Sequence, residues 1–151
     1  MVLSFNIFGK KKNIPENTPE AKAMDSSKEL SAEAGSRDKN TVAVWNDKGN
    51  SLIESSMYAE AVKCFDKALE INPGSAELWN NKGLALARTG RYAEAIQCYD
   101  KAIELKPGDA EVMYNKGIAL SQLGHSSEAI ECYDKMLKTN PKDADAWCNK
   151  G

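Results

Sequence analysis

The chain has 151 residues, 28% of them charged, with a net charge of −2, four cysteines and one histidine, a length that suits one shared hydrophobic core. Acids and bases are interspersed and almost balanced, which argues against nucleic acid or an anionic membrane surface as the partner. No apolar run approaches the roughly 20 residues that span a bilayer, and His125 with no CxxC pair offers no zinc-ligand spacing.

Taken in chain order, the start MVLSFNIFGKKK sets its short apolar run before its basic cluster, the reverse of an export signal. With no N-x-[ST] acceptor site either, the expected location is cytoplasmic. From Lys10 to Asn40 the chain is rich in Lys, Glu, Ser and Ala and almost devoid of large apolar residues, a composition that does not offset the entropy of ordering. Residues 1–40 therefore read as a mobile tail with helical tendency over 27–34.

From residue 41 a repeat takes over. WNDKG at Trp45, WNNKG at Trp79, MYNKG at Met113 and WCNKG at Trp147 recur every 34 residues, and internal repetition decides architecture before anything else does. The units are 42–75, 76–109 and 110–143, with a stub at 144–151. Within the second unit Trp79, Gly83 and Leu86 follow helical spacing, and Ala95, Ile96, Tyr99, Ala102 and Ile103 do so again. Each unit is thus two amphipathic helices. Arg88-Thr89-Gly90 and Leu123-Gly124-His125 break them, glycine supplying the left-handed residue that ends a helix. Pro73, Pro107 and Pro141 stop each second helix, since proline cannot continue the hydrogen-bond ladder. Gly83 is expected to face Ala95 where the two backbones approach, and Trp45, Trp79, Phe65, Tyr99 and Tyr133 are expected to fill the space between units.

Cys64, Cys98 and Cys132 recur with the same period. Equivalent positions on stacked helices lie about 10 Å apart, beyond the Cα reach of a disulfide, so they read as small apolar packing residues. No metal, cofactor or catalytic constellation is expected: catalysis needs a nucleophile, base or metal held in a pocket, and the lone histidine sits in an inter-helix break.

The order W-x-x-x-G, Y-A-E-A, an aromatic, Ala and Pro at this period resembles the tetratricopeptide repeat (TPR), over 42–151. Met113, Met136 and Ser126-Ser127 depart from it, standing for Trp, a small Ala and Tyr-Ala. The resemblance implies an all-α, right-handed α-solenoid of antiparallel helix pairs that acts as a non-catalytic scaffold. Its first helices would line a concave groove suited to an extended peptide. Carried over residue by residue, the groove set is Asn46, Asp47, Asn50 and Ile53, then Asn80, Asn81, Leu84, Ala87 and Arg88, then Tyr114, Asn115, Ile118 and Gln122, and Asn149 in the stub.

The column Asp47, Asn81, Asn115, Asn149 resembles the asparagine ladder with which some TPR domains hold a peptide main chain, a carboxamide having both donor and acceptor. Such bonds net about 0.5 to 1.5 kcal/mol each against roughly 8 for micromolar affinity, so apolar pockets must supply the rest. Acids at Glu77, Glu111 and Asp145 favour a neutral or basic ligand. The family's two-carboxylate clamp for Hsp70 and Hsp90 tails needs three cations at places where this chain has Asn46, Glu111 and Asn115; Asn50 and Asn81 match its two asparagines. Charge-assisted bonds to a carboxylate are thereby lost.

Lys48, Lys82, Lys116 and Lys150 recur opposite Asp66, Asp100 and Asp134 and can pair across helices, each pair contributing about 0 to 1 kcal/mol. The stub reads as the opening of a fourth unit in a chain cut from a longer protein, with Trp147 covering the third unit's open face. Uncapped ends make self-assembly the alternative function. The apolar segment 2–8, on a linker spanning about 30 Å, is long enough to reach the groove as a resident pseudo-ligand, although an inert tail is the first expectation.

Overall fold

The structure, a computed structural model, describes residues 19–139, 141–142 and 148–150, with side chains from Arg37 onward. The chain divides into two units, Met1–Lys39 and Asn40–Gly151. The expectations for the apolar segment 2–8, Asp145 and Trp147 lie outside the described residues.

Helix α1 runs Pro19–Glu54. The helix takes in residues 27–34, where a helical tendency is expected from the sequence, and extends beyond them in both directions. Ala, Glu and Lys dominate Glu20–Ala34, and these have high intrinsic helix propensity whether or not a core is there to pack on.

The further helices bounded within the described residues are α2 (Tyr58–Ile71), α3 (Ala76–Arg88), α4 (Tyr92–Leu105), α5 (Ala110–Gln122) and α6 (Ser126–Thr139). Each packs against the next in sequence, from α2 to α6, and α3 also touches α5, the stacking of a helical solenoid. No strand occurs among the described residues. The second unit of the repeat shows why these boundaries hold. Ser75 accepts from the backbone N–H of Leu78 at 3.3 Å and so caps α3. Asp109 does the same for α5, bonding the N–H of Val112 at 3.5 Å. Each repeat thus ends on the residue that starts the next.

The inter-helix breaks are Schellman turns. After α3 the N–H of Arg91 bonds the carbonyl of Leu86 and that of Gly90 bonds Ala87, both at 3.0 Å, with Gly90 at φ +79°. Gly124 repeats this geometry after α5 at φ +79°. After α1 the turn is the same, Met57 to Leu52 and Ser56 to Ile53, but the left-handed residue is Ser56 at φ +60°. A side chain is disfavoured there by about 1 kcal/mol.

The core of each helix pair is an aromatic ring laid on a glycine. A Cβ built on Gly49 would stand 2.5 Å from Phe65 Cε1, one on Gly83 2.6 Å from Tyr99 Cε1, and one on Gly117 2.5 Å from Tyr133 Cε1. The atoms nearest to Gly83 all belong to the Tyr99 ring, so that ring, rather than Ala95, sets the closest approach. Phe65, Tyr99 and Tyr133 are at most 1% exposed. Around them Ala61, Ala68, Ala95, Ala102 and Ala119 are fully buried, letting the helices close on one another. Met136, which stands for the repeat's small alanine, is buried in one cluster with Met113, which stands for its tryptophan.

Substituting Ser56 by Gly should raise unfolding free energy by about 1 kcal/mol, read as a shift of the urea midpoint at constant slope. An unchanged or lowered midpoint would show that the turn carries no such penalty.

Candidate functional site

The first helices present two neighbouring depressions. The larger, about 530 Å³, lies between α3 and α5 over α4. It brings together seven of the residues expected in the groove, Leu84, Ala87 and Arg88 from α3 and Tyr114, Asn115, Ile118 and Gln122 from α5. Leu84, Ala87 and Ile118 give it an aliphatic wall. Tyr92 and Tyr99 of α4 complete the lining; neither was anticipated there, because aromatics on the second helices read as core.

The second depression, about 450 Å³, is polar and is lined by Asn50, Glu77, Asn80, Asn81, Lys106, Asp109 and Glu111 among others. Lys106 and Asp109 close on each other at 2.9 Å. The lysine's hydrogen bond holds the Asp109 carboxyl below the usual carboxylate range. Ile53 packs against the main core. Asp47 is exposed.

The asparagines join repeat to repeat. Asn81 donates to Asn46 Oδ1 at 3.1 Å, and Asn115 donates to Asn80 Oδ1 at 3.1 Å. In turn Asn46 donates to Glu77 Oε1 at 3.2 Å and Asn80 to Glu111 Oε1 at 3.0 Å. In the third unit the place of the accepting asparagine is taken by Tyr114, whose hydroxyl accepts from Asn149 at 3.2 Å. One N–H of Asn81, of Asn115 and of Asn149 is therefore already engaged, leaving the second N–H of each carboxamide for a ligand. Asn80 is only 7% exposed and bonded at both ends of its amide, so it is a joint between units.

A second set of joints lies among the lysines. Lys82 pairs with Asp66 at 2.6 Å, Lys116 with Asp100 at 2.6 Å and Lys150 with Asp134 at 2.5 Å, each linking a first helix to the second helix of the preceding unit. The aspartates are nearly half exposed, so each pair contributes about 0 to 1 kcal/mol. Lys48 lies 5.4 Å from the centre of the Trp45 ring instead.

Cys64, Cys98 and Cys132 are buried free thiols and Cys148 is an exposed one. Burial pushes Cys98 up to about 11, which keeps it a protonated packing group. No group of three or more metal-ligating side chains occurs among the described residues, and none of the described helices is long and apolar enough to cross a membrane.

Two tetratricopeptide-repeat family models match the chain, over residues 46–110 and 86–148, and with the helix-pair stacking they place it in that family: the chain belongs to the tetratricopeptide-repeat proteins. Among solved structures it resembles the first TPR of Spaghetti (RPAP3) bound to the HSP90 peptide SRMEEVD, at 24% identity and TM-score 0.72 over 74% of this chain and 88% of that one. The second TPR domain of human RPAP3, in complex with an HSP70 peptide, aligns at 22% identity and TM-score 0.72 over 75% and 94%. MamA aligns at 23% and 0.70 over 76% and 63%. Comparison with curated protein sequences finds no significant match. At these identities the likeness carries the fold alone.

Replacing Asn80 by Ala strands Asn115 and Glu111 and should cost about 1 to 2 kcal/mol of stability. Asn50→Ala, at a groove position outside this network, should stay within about 0.5 kcal/mol. Equal losses in urea denaturation would contradict the joint assigned to Asn80.

Proposed function

We propose that residues 41–151 form a non-catalytic interaction domain that holds an extended peptide across its first helices. The observation that carries this reading is the depression between α3 and α5, lined by seven residues of the groove set that the family resemblance implies. A peptide crossing here would lay side chains on Leu84, Ala87 and Ile118, while the carboxamide of Asn115 offers its second N–H to the peptide main chain. That division of labour matches the energetics: burial at about 25 cal/mol per Å² contributes more than two or three hydrogen bonds of about 1 kcal/mol.

The ligand's charge follows from the rims. Glu77 and Glu111 each offer Oε1 to an asparagine, and a carboxylate carries a second oxygen able to accept a donor from a ligand. At the places where a carboxylate clamp needs cations the chain has Asn46, Glu111 and Asn115. The domain therefore suits a neutral or basic peptide, and differs in this from the RPAP3 domains solved with HSP90 and HSP70 peptides.

Peptides selected from a random nine-residue library on the full chain should bind with roughly micromolar Kd. The double variant Leu84→Ala/Ile118→Ala should weaken them at least about tenfold, as expected for removing several buried methylenes at about 0.8 kcal/mol each. The acidic peptide SRMEEVD should show no saturable binding below roughly 100 µM. Tight binding of SRMEEVD, or selected peptides indifferent to the double variant, would contradict the reading.

A further inference from the structure

Tyr99 has an unusual double position. Its ring lies on Gly83 as the repeat requires and is 1% exposed, yet the residue also lines the larger depression. The Tyr99 hydroxyl makes no hydrogen bond to a described residue, while no buried side-chain oxygen or nitrogen among the described residues is left without a partner. The hydroxyl therefore stands at the surface of the pocket floor.

Packing does not demand it. In the first unit the same place, over Gly49, is filled by Phe65, which is fully buried and has no hydroxyl. With Arg88, Asn115 and Gln122 already lining the same recess, a hydroxyl on its floor serves a ligand group that reaches down and can hydrogen-bond there. Burial drives the Tyr99 phenol well above the ordinary tyrosine range, so it is a neutral hydroxyl that both donates and accepts.

The chemistry of that group is set by the walls. Leu84 of α3, Tyr92 of α4 and Tyr114 and Ile118 of α5 line a recess that suits a flat apolar body, and a volume of about 530 Å³ has room for an aromatic side chain. A carboxylate would lose hydration against these walls, and a lysine or arginine head would meet Arg88 at the exposed edge. Resting on the groove reading above, we propose that Tyr99 is a specificity-determining residue. The pocket takes an aromatic side chain with a hydrogen-bonding tip, a tyrosine or tryptophan of the bound peptide, and the tip bonds the Tyr99 hydroxyl. A site built around such a bond discriminates against a phenylalanine of the same shape.

The test uses peptides selected from the random library on the full chain, titrated by fluorescence anisotropy against wild type, Tyr99→Phe and Tyr133→Phe. Tyr133 holds the equivalent place over Gly117 and is not part of this pocket, so its variant reports any general effect of losing a buried hydroxyl. Selected peptides should share a tyrosine or tryptophan at one position. Tyr99→Phe should weaken them about 3- to 10-fold, as for one neutral hydrogen bond, with Tyr133→Phe unchanged. Changing the peptide's own tyrosine to phenylalanine, or its tryptophan to a naphthylalanine lacking the ring N–H, should cost the same factor on wild type and nothing further on Tyr99→Phe. Groove binders without that aromatic, or with affinity indifferent to Tyr99→Phe, would overturn this assignment and leave the groove reading intact. Failure of the library to yield any saturable groove binder would overturn both.

Discussion

An aromatic ring pressed on a bare helix backbone is the contact from which the rest of this solenoid follows. Phe65, Tyr99 and Tyr133 lie where the Cβ of any other residue at Gly49, Gly83 and Gly117 would stand, 2.5 to 2.6 Å from a ring carbon, inside the distance real carbons keep. The glycine lets the two helices of a unit close, and the ring fills the space between them with about 150 to 250 Å² of apolar surface. Once each pair is fixed in this way, the first helices of successive units stand side by side. The depression between α3 and α5 is what remains uncovered.

Lateral order is set by weaker, polar joints. The asparagine chain through Asn46, Asn81, Glu77, Asn80, Asn115 and Glu111 and the lysine–aspartate pairs both cross from one unit to the next. Singly these are small contributions next to the buried rings. Their value is directional, since a hydrogen bond specifies a register that apolar contact alone leaves loose. The consequence is that polar groups on the first helices are partly committed to the scaffold.

The repeat made most of the fold legible: the 34-residue period, the helix stops at the prolines and the glycine breaks all appear in the structure where the pattern put them, as do the lysine–aspartate pairs. Within the site, seven expected residues meet in one pocket. What the sequence could not convey was the partner of each asparagine. A carboxamide facing a groove has the same spelling whether it bonds a ligand or a neighbour 31 or 35 residues away, and the structure chooses the neighbour for Asn81 and Asn115. Tyr92 and Tyr99 escaped notice for a related reason, because a periodic aromatic on a second helix reads as core even when its far end reaches a cavity. The exchange of Trp and Ala for Met113 and Met136 looked like two independent departures until they met in one cluster.

The ring-on-glycine contact is tested most directly by the urea unfolding of a Gly83→Ala variant beside wild type. Helix propensity by itself favours alanine over glycine by about 1 kcal/mol, whereas a methyl placed 2.6 Å from Tyr99 Cε1 forces overpacking that costs about 1 to 3 kcal/mol. The close contact predicts a net loss of stability, recovered when Tyr99 is also shortened to leucine. A Gly83→Ala chain as stable as wild type or more so would show that propensity governs this position and that the ring does not set the approach of the two helices.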